Sequence, residues 1–175
     1  MTTDLRYPIG RFEWTESAPN RRETLIDELA TTPSRLRGAV QGLSSAQLDT
    51  AYRPGGWTAR QVVHHVADSH LNSYTRFRLA LTEDEPTIKP YDEARWAELV
   101  DARTASVDVS LHLLDALHER WVLLLRSTDA SDFARAFRHP EMGLVSLDRT
   151  LALYAWHGSH HIAHIKALVA REGWR

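Results

Sequence analysis

Val107, Leu111, Leu114, Leu117, Trp121 and Leu124 recur at steps of three and four residues, the spacing that lays one apolar stripe along an α-helix. Three other stretches repeat it, and Gly and Pro fall mostly between them, so the chain is committed to an almost all-α fold. Ser106 is placed to cap the helix that starts at Val107. Thr58, followed three residues later by Gln61, is a capping-box signature for a helix to about Leu81, with Val62, Val66, Ser69, Ser73 and Phe77 along one side. Ser146 can cap a helix from Leu147 to about Arg171, with Gly173 as its stop. Pro19 suits the first turn of a helix through Arg21, Leu25, Ile26 and Leu29, and Pro33 should kink or restart that helix before Leu36, Val40 and Leu43.

The connections are long. Pro86 and Pro90 delimit an extended link, after which Asp92 to Val100 can form a short helix carrying Trp96. Phe133 to Val145, with Pro140 and Gly143, is too short and broken for a helix and reads as a hairpin or loop. The expected architecture is a single domain over residues 1–175, a four-helix bundle whose long crossovers allow parallel neighbours.

Composition removes several function classes. The 21 Lys and Arg nearly balance the 23 Asp and Glu, giving a net charge of −2; with no long basic run there is no footprint for neutralising phosphates, so no nucleic-acid partner is expected. The longest unbroken apolar run is the six residues Leu151 to Trp156, against roughly 18 for a membrane span. The start of the chain has no apolar signal core. A soluble, cytoplasmic protein with no membrane association is expected. There is no cysteine, so any metal must be held through nitrogen or oxygen.

Seven of the ten histidines lie in two stretches: His64, His65 and His70 on the second principal helix, and His157, His160, His161 and His164 on the last. Residues four apart share a helix face, so His157 with His161, or His160 with His164, can hold one ion. With His157 at zero, the apolar arc of the last helix spans about 20° to 140° and contains His161 at about 40°. His160 and His164 fall farther round, on the polar side. The inward pair is therefore His157 with His161.

A catalytic zinc site takes three protein ligands, and the second principal helix should supply the third. Its wheel leaves His64, His65 and His70 all open. Taken singly, His70, His112, His118 and His139 read as hydrogen-bonded core or surface residues, because no partner at ligand spacing accompanies them. Gly158 follows His157 where a zinc protease of the H-E-x-x-H type needs its Glu, which removes that class. Gly158 and Ser159 are small either to leave space above the ion or to let helices pack closely.

The segments Tyr7-Pro8-Ile9-Gly10, Gly55-Gly56-Trp57-Thr58, Gln61 through His70, Lys89-Pro90-Tyr91-Asp92-Glu93, and Trp156 through Ile165 resemble the YfiT branch of the DinB-like metalloproteins along nearly the whole chain. The resemblance implies a four-helix bundle with three histidine ligands around a divalent ion, which in this sequence are His65, His157 and His161. Only the resemblance selects His65 over His64. It also implies a metal-dependent enzyme: a hydrolase, or a transferase or isomerase that uses a low-molecular-weight thiol such as bacillithiol or mycothiol. Gly55-Gly56-Trp57 and Lys89-Pro90-Tyr91-Asp92 mark the branch and are read as turn or packing elements.

Transfer of a bacillithiol-like thiol to small electrophiles is the first expectation. A hydrolase is the alternative, and a non-enzymatic metal-binding stress-response protein the second alternative. One divalent ion per chain is expected, Zn²⁺ before Ni²⁺, with the thiol as co-substrate. No general base and no catalytic residue beyond the ligands is identified. Mixed helix faces and six tryptophans, together with the resemblance, point to a homodimer.

Overall fold

The computed structural model describes residues 4–15 and 21–174, so Pro19 lies outside the described residues. Four long helices carry the fold: α1 (Arg21–Val40), α3 (Ala59–Thr82), α6 (Val107–Ser127) and α7 (Leu147–Arg171). Thr58, Ser106 and Ser146 are N-caps, each accepting a backbone N–H with its hydroxyl, and Thr58 and Gln61 complete the capping box. Gly173, at φ +66°, follows the end of α7 in the left-handed conformation that favours glycine. A further short helix, α2 (Ser45–Leu48), is opened by a Ser44 and Gln47 capping box. The expected connecting helix is instead two short ones, α4 (Glu93–Trp96) and α5 (Val100–Thr104).

Pro33 does not restart α1: the helix runs continuously through it, and Pro33 is buried. Proline in a helix interior costs about 3 kcal/mol, because it cannot donate to the carbonyl four residues earlier. Here that carbonyl belongs to Leu29 and receives a hydrogen bond from His118 Nδ1 at 2.9 Å. On either side of Pro33, Leu25, Ile26 and Leu29 and then Leu36, Ala39 and Val40 are buried, which holds both halves of the helix to the same bundle.

Long helices pack as a square in which α1 and α3 each lie against both α6 and α7. Side-chain pairs give their directions. Arg22 bonds Asp148 and Arg35 bonds Ser159, so α1 and α7 run parallel. His64 bonds Ser110 and His70 bonds His118, so α3 and α6 also run parallel. Arg37 pairs with Asp115 and Arg126 with Asp27, which makes α1 and α6 antiparallel. The parallel neighbours that long crossovers permit are thus present.

The crossover from α3 to α6 travels back along the bundle. Its first, extended part pairs with the hairpin of β1 (Ala136–His139) and β2 (Gly143–Ser146): Ile88 donates to the Arg138 carbonyl at 3.0 Å and Arg138 donates to that of Pro86 at 2.9 Å. In the antiparallel hairpin Phe137 lies opposite Val145, and both are buried. Farther along, Gln61 donates to the Ala97 carbonyl at 2.7 Å. The buried Arg60 binds Asp49, Ser45 and the Ala105 carbonyl together. Both connections are thereby fastened to the start of α3.

Two apolar clusters fill the bundle. One gathers Leu29, Phe77, Trp121, Phe137 and Leu151; the other gathers Leu36, Val63, Val66, Leu114 and Ile165. Between them every long helix turns polar inside: Thr32 on α1, Ser69 and His70 on α3, His118 on α6, His161 on α7. No helix among the described residues is long and apolar enough to cross a membrane.

Gly158 packs against this layer. A Cβ there would stand 2.7 Å from Thr32 Cγ2 and 2.8 Å from Thr32 Oγ1, and Ser159 meets Arg35 of the same helix. Close packing of α1 on α7, not space above an ion, is therefore why residue 158 is glycine. Gly158→Ala should lower stability by about 1–3 kcal/mol through overpacking, read as a fall in the urea midpoint. Adding Thr32→Ala should restore most of it.

Candidate metal centre

His65 from α3 and His157 and His161 from α7 converge at the polar layer, with their ligand-capable nitrogens all within 4.8 Å of one another. The four-residue step brings the two α7 rings together, at 4.5 Å between centroids, and the ring of His65 lies 4.8 Å from that of His161. His65 Nε2 and His157 Nε2 are 3.3 Å apart. Two nitrogens bound tetrahedrally to one zinc at the usual bond length stand about 3.3 Å apart.

Electrostatics favour a cation there. Burial lowers the pKa of His65 to about 4 and holds those of His157 and His161 well below the ordinary value, with neighbouring imidazoles adding to the effect. All three rings are neutral near pH 7, as ligands must be. His161 Nδ1 is buried with no hydrogen-bond partner among the described residues. A neutral His157 that donates through Nδ1 to His70, 3.2 Å away, turns the Nε2 lone pair toward His65. The donor set therefore fits a divalent ion bound through nitrogen.

The other histidines separate by contact. His64 points to α6, where Nδ1 meets Ser110 Oγ at 2.7 Å and Nε2 meets the Ala105 carbonyl at 3.3 Å. His70 backs His157 and in turn meets His118, with Nδ1 to Nε2 at 2.9 Å. His112 is exposed on α6. The polar side expected for His160 and His164 is in fact covered. His160 stacks on Trp156 at 4.4 Å and sits beside Tyr7, while His164 stacks on Tyr52 at 4.1 Å and bonds the Arg6 carbonyl at 3.1 Å. The segment around Tyr7 and the loop before α3 make this cover, which a wheel of α7 alone does not include.

Above the three imidazoles lies a cavity of about 520 Å³. Trp57, Pro90, Tyr91 and Met142 form its less polar wall, and Arg76, Glu93, His139 and Glu141 its charged and polar side. The two motifs read as turn or packing elements therefore contribute Trp57 and Tyr91 to the site, with the Trp57 ring 4.6 Å from that of His65. Burial raises the Tyr91 pKa to about 12, which keeps the phenol protonated. The Arg76 side chain makes no hydrogen bond or ion pair among the described residues, although it lines the cavity. It lies eleven residues beyond His65, three turns along the same side of α3, a relation visible in the sequence only once that side is known to face a cavity.

The profile of the DinB superfamily matches residues 28–165. A protein of Bacillus cereus strain B4264, named "Putative metal-dependent hydrolase", is 54% identical over 172 residues, covering 98% of this chain and 99% of its own length. One from Bacillus thuringiensis subsp. konkukian strain 97-27 bears the same description at the same identity and coverage. Among solved structures, YfiT from Bacillus subtilis, described as "a probable metal-dependent hydrolase with an unusual four-helix bundle topology", is 50% identical with a TM-score of 0.95 over 98% of this chain and 99% of its own. TT2238, a four-helix bundle protein, has a TM-score of 0.57 at 22% identity over 81% of this chain and 94% of its own, and shares the fold.

The lowered histidine pKa values set a pH dependence. Burial brings His65, His118 and His160 to about 4 in the folded state, against about 6.5 unfolded. Between those values the unfolded chain binds more protons, so the metal-free protein should lose stability as pH falls from about 6.5 to about 4. Asp68, raised to about 6 by burial, works in the opposite sense as a single group. Urea midpoints at pH 7.0, 5.5 and 4.5 should decrease in that order; a flat series would contradict the neutral, buried imidazoles.

Proposed function

The chain belongs to the DinB superfamily, and on that premise we propose that His65, His157 and His161 bind one divalent ion, Zn²⁺ before Ni²⁺, in an enzyme that transfers a low-molecular-weight thiol to small electrophiles. The observation that carries this reading is the cavity opening directly on the three imidazoles. Three neutral ligands leave a bound ion its full double charge, which lowers the pKa of a thiol or water in its open position. The thiol sulfur forms a bond to the electrophilic carbon as the bond to the leaving group breaks, and the thiol proton passes to solvent.

The protein's own residues shape that reaction. Trp57 and Tyr91 supply flat surfaces on which an organic substrate can lie, and the Tyr91 phenol can donate to a leaving group. Arg76 is free to take a carboxylate of either reactant, and Glu93 and Glu141 can take an ammonium group. A cavity of about 520 Å³ has the size of small-molecule sites. Hydrolysis is the second reading. It is favoured by the names of the Bacillus relatives, whereas the Glu of the H-E-x-x-H base is absent beside His157.

Elemental analysis after chelation and reloading should find one divalent ion per chain. His161→Ala should lose tight binding, because one of three ligands is gone. Adding bacillithiol or a simple thiol to the Co²⁺-loaded protein should produce a sulfur-to-metal charge-transfer band, which the cysteine-free chain cannot supply itself. An unchanged cobalt spectrum with turnover of an ester panel would replace transfer by hydrolysis. Metal binding with no turnover of either kind would favour the non-enzymatic reading.

A further inference from the structure

Four groups, one from each long helix, stand in a row behind the candidate metal centre. His157 Nδ1 on α7 lies 3.2 Å from His70 Nε2 on α3; His70 Nδ1 lies 2.9 Å from His118 Nε2 on α6; and His118 Nδ1 lies 2.9 Å from the carbonyl of Leu29 on α1. The last contact sets the direction of all the others. A carbonyl only accepts, so His118 Nδ1 carries the proton and, in a neutral ring, Nε2 is a bare lone pair. His70 must then donate to it through Nδ1, which leaves His70 Nε2 bare to accept from His157 Nδ1. His157 Nε2 is left as the lone pair that faces His65 Nε2.

Charge cannot relax this order. His70 and His118 are 0% and 2% exposed, and no carboxylate bonds either ring among the described residues, so an extra proton would be a buried, unpaired charge. The anchor carbonyl is available because residue 33 is proline: an α-helix bonds the carbonyl at position 29 to the N–H at position 33, and Pro33 has none. We infer that Pro33, His118 and His70 together impose one tautomer on His157, committing its Nε2 to the centre before any ion arrives. His70 and His118 are thus positioning residues. This inference rests on the proposed metal site for its purpose, while the tautomer itself belongs to the metal-free protein.

Long-range ¹H–¹⁵N spectra of the ¹⁵N-labelled, metal-free wild type at pH 7.5 test it. His157, His70 and His118 should each show a protonated Nδ1 and an unprotonated Nε2. In His70→Phe, checked for folding by circular dichroism, His157 should lose this single tautomer. Zinc affinity measured by competition with a chelator should fall about ten- to a hundredfold. His70→Gln, whose amide can accept from His157 and donate to His118, should recover both signals. A protonated Nε2 on wild-type His157, or zinc affinity in folded His70→Phe equal to wild type, would overturn the inference. The expected tautomers in a wild type that binds no divalent ion would remove the metal reading and leave the bond directions standing.

Discussion

Polar rings in the middle of an apolar bundle have to be paired, and this obligation organises the molecule. An isolated buried imidazole forfeits its hydration with no return, so each ring in the layer between the two apolar clusters seeks a partner on a neighbouring helix. His70 reaches both α6 and α7, and His118 reaches α1. Such bonds are directional where apolar contact is not, so they select one rotation and one height for each helix among the many that would bury similar area. At the edge of the layer His65, His157 and His161 face one another, and His161 Nδ1 has no partner among the described residues.

The long connections complete the site as well as the topology. Because α3 and α6 run parallel, the chain between them has to retrace the bundle, and it does so across the mouth of the cavity, laying Pro90 and Tyr91 there. The hairpin before α7 adds His139, Glu141 and Met142 to the lining, and is tied to the crossover by the bonds of Ile88 and Arg138. The imidazoles therefore come from rigid helices, and most of the residues that would meet a substrate come from connections. Change in those connections can alter what enters without disturbing the centre.

Much of this is legible in the chain, and the rest is hidden for definite reasons. Thr58, Ser106 and Ser146 announce their helices because capping is local chemistry. His157 and His161 declare themselves through their spacing on an apolar arc. The choice among His64, His65 and His70 depends on which neighbour lies on which side, a fact of tertiary packing, and here the family resemblance supplied what periodicity could not. His160 and His164 mislead a helical wheel because their cover comes from Tyr7 and Tyr52, far away in sequence. That Pro33 does not restart α1 is hidden for a related reason: the Leu29 carbonyl left without its helical donor is met by His118, 89 residues farther on.

The centre joins two partners of unequal sequence distance. His157 and His161 are one helical turn apart, whereas His65 lies 92 residues from His157. Any partly helical form of the chain can present the α7 pair to a metal, but only the native packing of α3 on α7 adds the third nitrogen. A divalent ion held by all three nitrogens would therefore favour the native packing of α3 on α7 over any form that presents the α7 pair alone, by the ratio of its affinities for the two. Added metal would thus act on the long-range pairing of α3 with α7 and leave the local geometry of α7 unchanged.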